Sequence, residues 1–121
     1  MVHKLNKNFW NGKRVFLTGH SGFKGSWMSK LLSNLGSIVY GYSLKPDTKP
    51  NLFEILKVDE LSKSNFGDIN DLESFKKYFS SINPDIVFHF AAQPIVLRSY
   101  ESPLETINTN VVGLANLLDL V

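Results

Sequence analysis

From residue 13 onward, short apolar and β-branched runs alternate with stretches of helical periodicity, and this alternation narrows the choice of fold more than any other feature. Lys13-Arg14-Val15-Phe16-Leu17-Thr18 suits a buried strand. Phe23, Trp27, Leu31 and Leu35, spaced at four, predict a helix with these residues as its apolar stripe, and Gly36 stands where a C-cap glycine belongs. Ser37 to Tyr42 reads as a second strand. Residues 43–64, with Pro46 and Pro50, read as a turn-rich loop with one helical turn at Leu52 to Leu56, and Ser64 to Ile69 as a short third strand. Asn70 is predicted to cap a helix, answered by Glu73, with Leu72, Phe75, Phe79 and Ile82 as its apolar face and Pro84 ending it. Asp85 to Ala92 is a near-continuous apolar strand. Ser102-Pro103-Leu104-Glu105 opens a last helix through Val111, Leu114, Leu117 and Leu118. Such an order predicts parallel strands with helices on both faces, an α/β fold.

Composition bounds the chemistry. A chain of 121 residues makes one domain, and a formal charge of +2 with scattered lysines does not point to nucleic acid. The absence of cysteine excludes disulfides, thiolate zinc sites and a cysteine nucleophile. No apolar run approaches the ~18 residues of a membrane span, and Met1 to Asn11 lacks a signal-peptide core, so a soluble, cytoplasmic protein is expected. Residues 1–12 read as a polar arm held by Phe9-Trp10, and residues 13–121 as the domain. In the strand order 3-2-1-4-5-6, the run Ile86 to Phe90 would be strand four and would need a neighbour on each side, which nothing after it supplies. The expectation is the N-terminal part of a longer protein.

Between the first strand and first helix lies Thr18-Gly19-His20-Ser21-Gly22-Phe23-Lys24-Gly25, a Gly-x-x-Gly-x-x-Gly turn. The first glycine permits the tight turn, the second lets the backbone approach a pyrophosphate, and the third lets the helix pack closely. Free amides at the helix start and the positive end of its dipole then favour phosphate. A Rossmann-like, doubly wound sheet with a dinucleotide on this turn is therefore expected, the bland alternative being a plain strand-to-helix turn.

These residues resemble the cofactor turn of the extended short-chain dehydrogenases/reductases that act on nucleotide sugars. Phe9-Trp10, Gly12-Lys13-Arg14-Val15-Phe16 and the turn through Ser26-Trp27, with His20 and Lys24 where relatives carry small and aliphatic residues, look more narrowly like the 4,6-dehydratases of CDP-glucose. Later segments agree: Asn51-Leu52-Phe53-Glu54, Gly67-Asp68-Ile69, Phe88-His89-Phe90-Ala91-Ala92-Gln93-Pro94, Arg98-Ser99-Tyr100 and Asn108-Thr109-Asn110-Val111-Val112-Gly113. The resemblance implies bound NAD, a nucleotide-sugar substrate (CDP-glucose), a lyase reaction giving a 4-keto-6-deoxy sugar, and a homo-oligomer. It also implies roles. Gly19, His20, Gly22, Phe23, Lys24 and Gly25 line the pyrophosphate. Asp68 and the Ile69 backbone meet the adenine, Ala91, Ala92 and Gln93 the ribose and nicotinamide side, and Asn110 braces the site through backbone. Ser99 and Tyr100 face the sugar. Each has a plainer reading: Lys24 and Asn110 as solvated helix residues, Asp68 as a turn carboxylate, and Ala91 to Gln93 as close packing onto a helix. His20 has no second His or acid at metal spacing, His3 lies in the arm, and His89 reads as a satisfied core histidine.

Two departures matter. Selection of NAD usually places Asp or Glu at the end of strand two, about 20 residues beyond the glycines; here Tyr42-Ser43-Leu44-Lys45 precedes the first acid, Asp47, and Lys45 would suit a 2′-phosphate. The family's Tyr-x-x-x-Lys pair is also missing: Leu44, Pro46, Ile82 and Leu104 stand four residues after Tyr40, Tyr42, Tyr78 and Tyr100. Alone, the stretch is expected to be inactive. A nucleotide-sugar epimerase or reductase, or a non-catalytic dinucleotide-binding module, are the other readings.

Overall fold

The computed structural model describes residues 5–121. The elements follow in the order α1 (Lys7–Trp10), β1 (Arg14–Thr18), α2 (Phe23–Asn34), β2 (Ile38–Ser43), α3 (Leu52–Ile55), α4 (Val58–Leu61), β3 (Lys63–Phe66), α5 (Leu72–Ile82), β4 (Ile86–His89), α6 (Val96–Glu101) and α7 (Pro103–Ile107), then a π-helical turn (Asn108–Val112) and α8 (Gly113–Leu120). The four strands are parallel in the order β3-β2-β1-β4, with Val15 opposite both Val39 and Ile86. Strand alternation sends Phe16 and Tyr42 to one face, against Phe75, Phe79 and Ile82 of α5 and Leu117 of α8. Val15, Leu17 and Val39 go to the other face, against Leu32 of α2 and Trp10 of the arm. The α/β sheet with helices on both faces is thus as the sequence predicts. β4 is an edge strand among the described residues, its side chains half-buried.

Four local expectations need correction. Of the stripe expected to bury α2, Leu35 alone is buried: Phe23, Trp27 and Leu31 are 72%, 51% and 42% exposed, while Gly25, Ser26, Ser29 and Leu32 face inward. The start of α2 lies too close to backbone for bulky side chains, so small residues occupy the inner face. The cap of α5 is Asp71, one residue on, whose carboxylate accepts from the Ser74 amide, while the backbone amide of Asn70 donates to the Asp68 carboxylate in the turn ahead of it. Ser102 makes no side-chain cap on α7, and Val111 and Leu118 of the last helix are exposed. α4 and α6, built from four and six residues, carry too little periodicity to be seen beforehand.

Candidate functional site

Thr18, Ser43, Phe66 and His89 end the four parallel strands at one edge of the sheet, so the segments that follow them converge there. β1 stands between β2 and β4, where the order of winding reverses, and open α/β sheets bind ligands in the crevice at that point.

The three glycines of the turn serve different ends. Gly19 has φ +71°, and a Cβ there would lie 2.6 Å from the Ala91 nitrogen and the Phe90 carbonyl carbon, so the turn is pressed against the end of β4. A Cβ on Gly25 would come 2.0 Å from the Gly19 carbonyl oxygen; its close packing is against the turn itself. Gly22 is different. Its backbone is extended, and an added Cβ would meet only the Gly19 oxygen at 3.4 Å, an ordinary contact. The fold does not require glycine there. Directly beyond it, the amides of Phe23, Lys24 and Gly25 bond to no acceptor among the described residues, at the positive end of a 12-residue helix. Lys24 and Phe23 are both exposed on this first turn.

The His20 side chain does not join that cradle. It is wholly buried, edge-on to Phe53 (5.6 Å between ring centres) and stacked on Phe66 (5.8 Å), and it lies over Gly41, where a Cβ would sit 2.2 Å from the ring. Ser21 Oγ donates to the Leu44 carbonyl (2.7 Å) and Ser43 Oγ to Ser21 Oγ (2.8 Å). With its one hydrogen used, Ser43 accepts from His20 Nδ1 (2.9 Å), leaving Nε2 bare and without a partner. The imidazole thus ties the glycine turn to the end of β2, and only the backbone of His20 remains in the turn.

Burial lowers the His20 pKa from 6.5 to about 4, the Asp59 carboxylate opposing the shift. The unfolded chain therefore binds the extra proton between pH 6.5 and 4 and the folded one does not, so stability is lost as pH falls through that window. Relative to a His20→Gln variant, the parent should lose about 3 kcal/mol from pH 7 to pH 4 in urea unfolding, the worth of a shift of that size. Parallel curves would show that His20 is not held neutral.

The remaining candidates divide. Asp68 is exposed and uses one carboxylate oxygen on the Asn70 amide (2.9 Å), while the Ile69 amide has no acceptor among the described residues. Ile69 itself is buried against Gly113, and its carbonyl accepts from Asn116 (2.9 Å). Ala91 and Ala92 lie at the mouth of the crevice, half-buried and exposed. Gln93 is turned inward: its side chain donates to Thr106 Oγ1 (2.9 Å) and the Ile95 carbonyl (3.2 Å) and accepts from the Ile95 amide (2.8 Å). Asn110 grips the Gln93 backbone at both ends, accepting from its amide (2.7 Å) and donating to its carbonyl (3.1 Å). The π-helical turn, closed by the Gly113 amide on the Asn108 carbonyl, carries that side chain. At the end of β2, Lys45 lies 6.0 Å from the Phe66 ring, and the nearest acid, Asp47, is exposed. Ser99 and Tyr100 are on α6, with Tyr100 81% exposed. His3 lies outside the described residues, among which no cluster able to hold a metal ion is found. Among the described residues no helix is long and apolar enough to cross a membrane.

Sequence reasoning missed the Ser21–Ser43–His20 chain and the part played by Gly41. The signal was available, since a glycine inside a strand run marks a close approach.

A family model described as GDP-mannose 4,6 dehydratase matches residues 16–121. CDP-glucose 4,6-dehydratase of Salmonella typhimurium is 53% identical over 97% of this chain and 33% of its own length. Among solved structures, UDP-glucose 4-epimerase of Brucella ovis in complex with NAD superposes with a TM-score of 0.74 at 28% identity, over 90% of this chain and 32% of that one. The Thermotoga maritima UDP-glucose 4-epimerase with UDP-glucose gives 0.77 at 28% identity, over 88% and 33%. The chain thus spans about a third of the length of these relatives.

Proposed function

The chain belongs to the GDP-mannose 4,6-dehydratase family, and on that premise we propose that it is the NAD-binding part of a nucleotide-sugar dehydratase, a lyase, whose substrate is CDP-glucose. The cradle at Gly22 carries the reading: three unbonded amides at a helix start, beside a position where the fold itself would accept a side chain. Two linked phosphates fit that arrangement. The amides of Phe23, Lys24 and Gly25 would hold them, with Lys24 adding charge. The Asp68 carboxylate and the Ile69 amide would meet the adenine, and the backbone of Ala91 and Ala92 the nicotinamide side. Asn110, through its two hydrogen bonds to the Gln93 backbone, would keep that backbone in place. When bound, NAD supplies a reversible hydride acceptor. The similarity to a CDP-glucose 4,6-dehydratase at 53% identity supports the substrate, and a relative solved with NAD supports that cofactor over its 2′-phosphate form.

Lacking a Tyr-x-x-x-Lys pair, this stretch has no group of that kind to take a proton from the sugar, and we infer that it does not turn over alone. Self-association fits the exposed Leu104 and Ile107 of α7, Val111 of the π-helical turn and Leu114 of α8, and a cytoplasmic setting fits the cofactor. Calorimetric titration with NAD and NADP tests the first half of the proposal; saturable NAD binding, tighter than NADP, is expected. The second half is tested by the complete protein's conversion of CDP-glucose, GDP-mannose and UDP-glucose to 4-keto sugars. Preference for either of the last two, or epimerisation instead of dehydration, would overturn the substrate assignment.

A further inference from the structure

The buried Thr18 hydroxyl sits where β1, β4 and the glycine turn meet. Its oxygen accepts from the amides of Phe90 and Ala91, each at 3.1 Å, and lies 2.7 Å from Nδ1 of His89. A hydroxyl has one hydrogen and two lone pairs. With two amides aimed at its oxygen, the hydroxyl has its hydrogen left to face Nδ1 of His89. In that arrangement Nδ1 accepts and the ring carries its proton on Nε2. The Phe90 amide is shared with the Thr18 carbonyl, also at 3.1 Å, whereas the Ala91 amide has only the hydroxyl. This is the same Ala91 nitrogen against which Gly19 is pressed. One hydroxyl and one imidazole thus meet the backbone at the point where the glycine turn touches the end of β4.

Resting on the dinucleotide reading above, we propose that Thr18 and His89 are positioning residues for the bound cofactor: the imidazole aims the hydroxyl, and the hydroxyl holds the Phe90–Ala91 backbone against the Gly19 turn. Neither residue needs to touch the ligand.

The test has two independent arms, both in the protein itself. In nitrogen-resolved NMR of the histidine ring, His89 should show the Nε2–H form with Nδ1 as acceptor. In NAD titrations, Thr18→Val and His89→Leu should each weaken binding about tenfold, the worth of one buried hydrogen bond. The double variant should be little worse than either, because both changes remove one unit. Thr18→Ser, which keeps the hydroxyl, should bind within about twofold of the parent and guards against a mere folding defect in Thr18→Val. A proton on Nδ1 of His89, or additive losses, or unchanged affinity in His89→Leu with its fold intact, would overturn the proposal. Were the parent itself not to bind NAD, the cofactor reading would fall, while the NMR arm would still judge the hydrogen-bond arrangement.

Discussion

A Gly22→Val chain is expected to melt with the parent and to bind NAD about a hundredfold more weakly, or not at all, because a branched side chain fills the space that phosphate must enter. The two halves of the result have separate causes. Stability is unmoved because the nearest atom to an added Cβ is 3.4 Å away and the backbone is already extended. Binding is lost because the amides of Phe23, Lys24 and Gly25 open onto that same space. Calorimetric titration beside a thermal melt checks both. Parent-like affinity would remove the cradle from the binding site, and a large drop in melting temperature would mean that the turn needs its glycine for folding after all.

Three residues on, the opposite outcome is expected. Gly25→Ala should cost about 3 kcal/mol of stability, at the upper end for overpacking, since its methyl would have to lie 2.0 Å from the backbone oxygen of Gly19. That oxygen belongs to a turn wedged against β4, so neither side gives way easily. Chemical denaturation measures the loss. A fall of less than about 1 kcal/mol would show that the start of α2 can slide outward and take up the strain. Run together, the two substitutions separate a glycine kept for a ligand from a glycine kept for packing, within one turn of chain.

How much of this was legible beforehand depended on whether the cause was local. Strands and helices followed from apolar period and turn residues, and the glycine turn announced its place between β1 and α2. The orientation of α2 did not follow, because Phe23, Trp27 and Leu31 outweigh Ser26 and Ser29 in any count of apolar bulk. What decides the matter is the nearness of backbone from a turn and a strand, which spacing along one helix cannot express. The cap of α5 moved by one residue: Asn70 and Asp71 are both competent, and the turn closed by the Asn70 backbone amide on the Asp68 carboxylate lies ahead of the helix, where the Asp71 side chain meets the Ser74 amide. At the site, Gly19, Gly22 and Gly25 could be named from the motif, but their separate duties needed the positions of Phe90, Ala91 and the Gly19 oxygen. His20 looked like a lining residue of the turn because nothing in the sequence brings Phe53, Phe66 and Gly41 around it. Those contacts span more than 20 residues of chain and arise only when β2 and β3 are laid side by side.

The widened turn at Asn108–Val112 makes the crevice, more than the core, sensitive to the length of the chain there. Such a turn holds one residue more than regular winding would, and deleting any one of the five would let the hydrogen bonds close at the usual interval. Everything downstream would then keep nearly its phase relative to α7, because five residues at the wider interval turn through about the same angle as four wound regularly. Leu117 would stay in the core, while Asn110, which the wide turn holds against the Gln93 backbone, would lose its place, so a single lost codon there would be felt at the crevice before it was felt in the fold.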